Sequence, residues 1–76
     1  MAEKVVAKFA KNATEQVRVT LTEWKGYPLL DVRVYFQDAQ GEYKPSRKGL
    51  TLNRDLVPEL LAGLEAARAE IGELVR

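Results

Sequence analysis

The feature that most constrains the fold is a change of hydrophobic period at Leu52. Before it, apolar residues alternate with polar ones in four segments separated by short polar or glycine-containing turns, which is typical of β-strands with one covered face. After it, apolar residues recur every three or four positions, which predicts an amphipathic helix. Four strands joined by short turns and followed by one helix indicate an α+β domain built on an antiparallel meander.

The alternation assigns one side of the sheet to the core and leaves the other side uncovered. The positions predicted to face the core in the first three strands are Val5, Ala7, Phe9, Val17, Val19, Leu21, Leu30, Val32, Val34 and Phe36. The opposite side then carries Arg18, Trp24, Arg33 and Tyr35. Between the second and third strands, Gly26 supplies the positive φ that a tight hairpin needs.

The fourth strand is basic, because the stretch from Tyr43 to Leu52 holds Lys44, Arg47 and Lys48. Proline cannot donate to a β-ladder, so Pro45 suits an edge or a bulge, and Gly49 permits a kink or a close backbone approach that re-aims Lys48. A plain solvated strand is the alternative, since most basic runs are only surface.

The helix is predicted over residues 53–76, with Asn53 as its N-cap. Pro58 is awkward inside a helix, so residues 53–57 are predicted to form a separate turn before the regular helix. The apolar stripe of this helix comprises Leu56, Leu60, Leu64, Ala67, Ile71 and Leu74, widened by Val57, Leu61 and Val75.

The stripe is wider than a four-stranded sheet needs, which predicts that the helix covers its own sheet and also meets a second subunit in a symmetric dimer. Glycine costs about 1 kcal/mol relative to alanine inside a helix, so Gly63 favours close packing against another helix, although plain tolerance of the glycine is equally open. The predicted dimer interface consists of Leu60, Gly63, Leu64, Ala67 and Ile71.

The length of 76 residues predicts a single domain, residues 1–76, with the sheet over 1–52 and the helix over 53–76. A domain of this size buries only about 60 to 65% of the surface that its unfolded chain exposes. The chain has neither cysteine nor histidine, which excludes disulfides and the usual zinc sites, and we expect no metal or cofactor. Oligomerisation is the remaining common way to stabilise such a thin core.

The residues needed for common catalytic chemistry are missing, so we do not expect an enzyme. Histidine and cysteine are absent, and the only serine, Ser46, lies in a basic strand with no evident base. The sequence shows no signal peptide and no apolar run of the roughly 20 residues that span a bilayer. We therefore expect a soluble, cytoplasmic protein without a membrane partner, associated with the nucleoid if the source is bacterial.

Aromatic rings combined with cations on one sheet face are typical of proteins that bind single-stranded nucleic acid. Bases stack on the rings while the cations follow the phosphates. Residues 1–52 hold nine Lys or Arg against six Asp or Glu, whereas residues 53–76 hold three against five, so the basic charge lies with the sheet. We expect the Trp24 indole and the Arg33 guanidinium to emerge on the uncovered side, near Lys44 and Lys48.

The order of these motifs resembles the positive cofactor four family of transcriptional coactivators, specifically its single-stranded-DNA-binding domain. The likeness covers about residues 16 to 72 and is closest to the stand-alone bacterial or phage members. The elements that carry it are Trp24-Lys25-Gly26, Asp31-Val32-Arg33, Tyr35-Phe36, Asp38, Gly41-Glu42, Lys44-Pro45, Arg47-Lys48-Gly49-Leu50 and Leu52.

The resemblance implies a homodimer in which each subunit has a curved four-stranded antiparallel sheet and one helix, and in which the sheets form channels for unpaired DNA. It implies contacts to the nucleic acid from Trp24, Lys25, Arg33, Phe36, Lys44, Arg47 and Lys48. Further candidate contacts are Arg18, Tyr27 and Tyr35. Parity places Phe36 on the core side, so packing and a DNA contact are both open for it.

Three hypotheses for the function follow. The first is a homodimer that binds single-stranded DNA with little sequence preference, in transcription regulation or the handling of unwound DNA, with transcription machinery as a further partner in a coactivator-like role. The second is binding of single-stranded RNA by the same face, because stacking and phosphate contacts do not distinguish the sugars. The third is a protein-interaction or dimerisation module whose cations only keep it soluble.

Overall fold

The computed structural model describes residues 3–74 of the chain. The strands form one antiparallel sheet in the order β1-β2-β3-β4, and a single turn of 3-10 helix leads from the sheet into α1. This arrangement confirms the predicted four-stranded antiparallel sheet followed by a C-terminal helix. The element bounds are β1 Lys4–Ala10, β2 Glu15–Trp24, β3 Tyr27–Gln37, β4 Tyr43–Asn53, the 3-10 turn Arg54–Leu56 and α1 Val57–Leu74.

The strand register divides the sheet into two sides, because residues directly opposite each other on paired strands point the same way. We call the side that carries Val17, Val19 and Val32 the apolar side, and the side that carries Arg18 and Arg33 the polar side. Val17 pairs with Val34 and Arg18 pairs with Arg33, so the predicted alternation along β2 and β3 is confirmed.

A two-residue turn joins β2 to β3. Lys25 and Gly26 both have positive φ, at 51° and 82°, and Trp24 pairs with Tyr27 across the turn. Positive φ at both central positions is the type I′ geometry, whose twist matches that of the flanking strands. The predicted role of Gly26 is confirmed, and Lys25 shares the left-handed conformation, which is uncommon for a residue with a side chain.

The first strand departs from the predicted alternation. The register shifts between Val5 and Ala7, so Ala7 pairs with Val19 while Val5 pairs with Thr20 on the polar side. The prediction that Val5 faces the core side is therefore wrong. The physical reason is a bulge at Val6, since one extra residue in a strand moves every residue beyond it to the other side of the sheet.

The fourth strand contains a larger bulge where the sequence predicted a kink. Arg33 pairs with Gly49 and Tyr35 with Pro45, so the three residues 46–48 lie opposite Val34 alone. Gly49 marks the end of this bulge, and a Cβ added to it would lie 2.5 Å from the Val32 carbonyl oxygen. The predicted close backbone approach at Gly49 is thereby confirmed.

The helical segment begins later than the predicted residue 53. Asn53 is the last residue of β4, and its side chain caps the 3-10 turn by accepting a hydrogen bond of 2.9 Å from the Asp55 backbone N–H. The regular helix starts at Val57, which puts Pro58 in its first turn, where a missing N–H costs little. The predicted separate turn before Pro58 is confirmed, and the predicted stripe residue Val75 lies outside the described residues.

The apolar side faces a wide, open groove beside α1. Among the residues that the structure describes, no hydrophobic side chain is buried, and Thr20 is the one buried residue, at 5% exposure. The groove has a volume of about 510 Å³. It is lined from the sheet and the helix by Phe9, Val17, Val19, Leu30, Val32, Leu50, Val57, Leu60, Leu61 and Leu64.

The single chain is less compact than a domain of this length normally is. A compact domain of this size would have a radius of gyration of about 11 Å, whereas the Cα radius of gyration is 14.5 Å. The apolar side and the helix stripe therefore exist as predicted, but they do not close on each other within one chain. No helix within residues 3–74 is long and apolar enough to cross a membrane.

Candidate nucleic-acid interface

The exposed aromatic residues of the polar side concentrate at the tip of the β2–β3 hairpin. Trp24 is 60% exposed and Tyr27, its partner across the turn, is 67% exposed. The ammonium group of Lys25 lies 4.7 Å from the centre of the Trp24 ring. The type I′ turn thus holds two accessible rings and one cation within a few residues, so a base could stack while its phosphate meets an ammonium group.

Arg33 lies on the polar side with Trp24, as the alternation predicts, but most of its guanidinium is already engaged. It donates from Nε to Asp31 Oδ2 at 3.1 Å and from Nη2 to Asp31 Oδ1 at 2.9 Å. Its Nη1 donates to the Ser46 carbonyl oxygen at 3.1 Å. Thr51 completes the cluster by donating from Oγ1 to Asp31 Oδ1 at 2.8 Å.

The Asp31–Arg33 pair is half-buried, which changes its electrostatics. Burial works to raise the pKa of Asp31, but the hydrogen bonds from Arg33 and Thr51 and the Arg33 charge outweigh it, so the pKa lies below its usual range. The hydrogen bond to Asp31 raises the pKa of Arg33 in turn. The positive charge of Arg33 is therefore largely balanced within the sheet, and this residue holds the backbone of β4 as well as presenting a cation.

The protonation of Asp31 gives a pH prediction. Because the pKa of Asp31 is lower in the folded chain than in the unfolded one, its contribution to stability is present above a pH of about 4 and is lost as the pH falls further. We expect Asp31→Asn to make the fall in unfolding free energy below this pH shallower than in the wild-type chain. Urea midpoints measured across the acid range would show this, and parallel curves for the two proteins would contradict it.

Arg18 and Tyr35, two further candidates, also lie on the polar side, where they contact each other. The Arg18 guanidinium carbon lies 4.3 Å from the centre of the Tyr35 ring and 5.8 Å from that of Tyr43. Its Nε donates to Gln16 Oε1 at 2.8 Å. All three stacked side chains are half-buried. This second aromatic and cationic cluster is more enclosed than the hairpin tip.

Phe36 lies on the apolar side, because it follows Val32 and Val34 at two-residue spacing along β3. Lys44 pairs with Phe36 and therefore lies on the same side. Phe36 is nevertheless 41% exposed, and the Lys44 ammonium forms an ion pair with Asp38 Oδ2 at 3.1 Å. The expectation that Lys44 lies beside Trp24 and Arg33 is wrong within one chain. The reason is strand parity: Lys44 lies six positions before Leu50, which pairs with Val32 on the apolar side, and the two extra residues of the β4 bulge leave that parity unchanged.

Lys48 also reaches towards the apolar side. Hydrogen bonds from Asn12 and then Lys11 lower the pKa of Glu15, and the charges of Lys11 and Lys48 lower it further. Glu15 pairs with Phe36 on the apolar side, which is also the side on which the alternation with Leu50 and Leu52 places Lys48. Its neighbour Arg47 is exposed at the centre of the bulge. The structure thus places Trp24 and Arg33 on the polar side and Phe36 and Lys44 on the apolar side. Lys25 lies at the hairpin tip, and Arg47 and Lys48 lie on the β4 bulge.

The sequence reasoning missed Tyr43 and Ser46. Tyr43 pairs with Gln37 across the turn, and counting back from that turn would have placed it beside Tyr35. The Ser46 hydroxyl donates to the Val34 carbonyl oxygen at 2.8 Å and accepts from the Lys48 N–H at 3.0 Å. No signal in the sequence alone locates these two bonds, because they depend on the size of the bulge.

The predicted interface residues divide between the groove and the rest of α1. Leu60 and Leu64 line the groove, and Leu64 is 58% exposed. Gly63 has open space where a Cβ would lie, and Ala67 and Ile71 are exposed further along the helix. The residues of this set that the groove brings together are therefore Leu60 and Leu64.

The sequence and the fold are both similar to those of known proteins. The family model described as Transcriptional Coactivator p15 (PC4) matches residues 11–63. The chain is 44% identical over 45 residues to the RNA polymerase II transcriptional coactivator SUB1 of Saccharomyces cerevisiae. That match covers 58% of this chain, which spans only 15% of the length of the yeast protein.

Two solved structures share the fold. The crystal structure of a PC4 homolog from Burkholderia pseudomallei superposes with a TM-score of 0.81 at 28% identity, covering 88% of this chain and 90% of that one. The MoSub1 protein, solved in complex with DNA, superposes with a TM-score of 0.63 at 22% identity, covering 99% of this chain and 96% of that one. Since the family model runs from the first turn of the sheet into α1, the chain belongs to the Transcriptional Coactivator p15 (PC4) family.

Proposed function

We propose that this protein binds single-stranded DNA with little sequence preference, as a homodimer, and acts in transcription regulation or in the handling of unwound DNA. Its family supports nucleic-acid binding and a coactivator-type role, since the yeast relative is a transcriptional coactivator and the MoSub1 structure is a DNA complex. The observation that carries the proposal is the hairpin tip, where Trp24 and Tyr27 are exposed beside the Lys25 ammonium.

Unpaired strands fit this surface better than duplexes do. Bases can stack on an aromatic ring only when they are free of their partners, and each stacked base contributes about 1 to 3 kcal/mol. Proteins that read duplex DNA more often place a helix in the major groove. The helix α1 carries Glu59, Glu65, Glu70 and Glu73 with Arg68 as its one cation, so it is poorly suited to approach phosphates.

The cations that would contact the phosphates of the DNA strand are Lys25 at the hairpin tip and Arg47 and Lys48 on the β4 bulge, and all three are exposed. Lys44 and Phe36 would contribute from the apolar side of the sheet. We propose that Arg33 assists mainly by holding β4, because Asp31 already balances its charge. Contacts from both sides of the sheet are compatible with a DNA strand that passes around the edge of the sheet formed by β4.

Competition between nucleic acids tests the proposal. A labelled oligothymidine should be displaced by unlabelled single-stranded DNA at much lower concentration than by the same sequence as a duplex. A matched RNA oligonucleotide distinguishes the sugars, and tighter binding of RNA would assign the surface to RNA instead. If the protein bound none of the single-stranded DNA, the duplex and the RNA at low salt, the proposal would be contradicted. The hypothesis of a protein-interaction module would then remain.

The dimer part of the proposal rests on the open groove. A second copy would cover the apolar side chains that one chain leaves exposed, and each well-covered leucine contributes about 1.5 to 3 kcal/mol. The symmetric interface expected for a homodimer would bring the same groove from both subunits together. Covering this groove would also supply the hydrophobic core that no described residue forms within one chain.

A charge in the groove is therefore expected to separate the subunits. Leu64→Asp removes apolar burial twice in a symmetric dimer, so we expect the dissociation constant to rise roughly 100- to 10,000-fold. Ala66→Asp is the matched control, because it places the same charge on the opposite face of α1. Light scattering over a concentration series measures both variants. Equal masses for Leu64→Asp and the wild-type chain would contradict the proposed interface.

A further inference from the structure

The bulge in β4 leaves a break in the ladder of backbone hydrogen bonds. Three residues, Ser46, Arg47 and Lys48, lie opposite Val34 alone, so the regular pairing between β3 and β4 stops at Arg33 and resumes at Tyr35. Extra residues in a strand are unpaired and bend it locally. Without another constraint, the two cations on this bulge would be carried by a loosely held piece of backbone.

The Ser46 hydroxyl closes that break. Its Oγ donates to the Val34 carbonyl oxygen at 2.8 Å and accepts from the Lys48 N–H at 3.0 Å. One side chain therefore takes up an acceptor of β3 and a donor of β4 that would pair directly in a regular ladder. Ser46 is half-buried between exposed neighbours, so its hydroxyl points into the sheet rather than to solvent.

The backbone of Ser46 is held independently. Its carbonyl oxygen accepts the 3.1 Å hydrogen bond from Arg33 Nη1, and Arg33 is fixed in turn by Asp31. Gly49 closes the other end of the bulge, where β4 comes so near Arg33 that an added Cβ would lie 2.8 Å from its Cα. Arg47 and Lys48 thus sit on a short segment that is anchored before, within and after the bulge.

We propose that Ser46 is a positioning residue for nucleic-acid binding, whose hydroxyl fixes the bulge so that Arg47 and Lys48 are held ready to meet phosphates. This inference rests on the proposed function. Immobilising a long cationic side chain on binding is costly, and a backbone already held in the bound conformation reduces that cost. Ser46 itself needs no contact with the strand.

The test compares Ser46→Ala with Ser46→Thr in binding to oligothymidine over a salt series. Losing both hydrogen bonds should weaken binding about 5- to 100-fold. The salt slope is the decrease in the logarithm of the binding constant with the logarithm of the salt concentration, and each phosphate contact contributes about 0.7 to it. The salt slope should therefore fall by up to about 1.4 when both Arg47 and Lys48 are misplaced. Ser46→Thr keeps the hydroxyl and should restore the slope. Thr14→Ala removes a hydroxyl from the first turn and should change neither the affinity for oligothymidine nor the salt slope.

A double-mutant cycle separates positioning from general loosening of the fold. In a chain that already carries Arg47→Ala and Lys48→Ala, adding Ser46→Ala should have little further effect on affinity, because the residues it positions are gone. Ser46→Cys, which keeps the size but weakens both bonds, is the milder variant if Ser46→Ala does not fold. It should change affinity and slope in the same direction.

The outcomes are distinguishable. If the wild-type chain does not bind oligothymidine, the proposed function fails. If the wild-type chain binds while the folded Ser46→Ala or Ser46→Cys variant keeps the wild-type salt slope, Ser46 is only structural and this inference is overturned. Additive effects in the cycle would overturn it as well, because they would mean that Ser46 acts independently of Arg47 and Lys48.

Discussion

Gly49→Ala is expected to destabilise the fold by about 2 to 4 kcal/mol, a large part of the roughly 4 to 11 kcal/mol available to a chain of this length. The added methyl group would lie 2.5 Å from the Val32 carbonyl oxygen and 2.8 Å from the Arg33 Cα. Both are backbone atoms, which cannot move aside as the end of a flexible side chain can. To accommodate the methyl group, β4 would have to separate from β3 at the bulge.

Gly72→Ala is the matched control for this substitution. A Cβ at Gly72 has no atom within 4 Å, and the residue lies in α1. Replacing a helical glycine by alanine normally stabilises by about 0.5 to 1 kcal/mol. Urea denaturation at one fixed protein concentration compares the variants with the wild-type chain. Equal stability of Gly49→Ala and the wild-type chain would mean that β3 and β4 are not as close as described.

Trp24→Ala is expected to weaken binding to single-stranded DNA about 5- to 150-fold, which corresponds to the loss of about 1 to 3 kcal/mol of stacking on one ring. Trp24 is 60% exposed at the end of a hairpin, so removing its ring should have little effect on folding. The dependence of affinity on salt should remain the same, because the indole carries no charge. Trp24→Phe keeps an aromatic face and should retain most of the affinity.

Lys25→Ala provides the contrasting result at the same turn. It leaves the Trp24 ring in place but removes the ammonium group that lies 4.7 Å from it. We expect its salt slope to fall by about 0.7, as for the loss of one phosphate contact. Fluorescence anisotropy with a labelled oligonucleotide measures both variants. If Trp24→Ala bound as tightly as the wild-type chain, the hairpin tip would not be the stacking site.

Local sequence patterns were sufficient for the architecture. The alternation in β2 and β3 is unbroken, so it placed Trp24 and Arg33 on one side correctly. Glycine and proline positions indicated the β2–β3 turn and the bulge in β4, because both residues have conformations that few others adopt. The resemblance to the family was confirmed by the match over residues 11–63.

The positions of side chains beyond a bulge could not be predicted in the same way. Parity along a strand is reliable only while the register is unbroken, because a bulge with one extra residue moves every later residue to the other side, whereas a bulge with two extra residues does not. The bulge at Val6 is why Val5 was assigned to the wrong side. Lys44 is a different case, because alternation back from Leu50 already places it on the apolar side and the bulge in β4 does not change that. The hydroxyl bridge of Ser46 follows from the same bulge and could only be found from the structure.

What covers the apolar groove could not be predicted from the sequence. The stripe of α1 indicated an apolar face wider than one sheet requires, and Leu60, Leu61 and Leu64 do line an open groove. A sequence pattern shows that such a face must be covered, but it does not identify what covers it. The dimer proposed above is therefore tested by the mass of Leu64→Asp rather than by the pattern itself.

The most direct test of strand binding at the hairpin tip is a titration of the intrinsic tryptophan fluorescence with oligothymidine at low and moderate salt. Trp24 is the only tryptophan in the chain, so any change in emission reports on that position. We expect the emission to change to saturation at low salt, and the affinity to fall steeply between about 50 and 200 mM salt. Unchanged emission at low salt, with the protein folded, would contradict the proposed site.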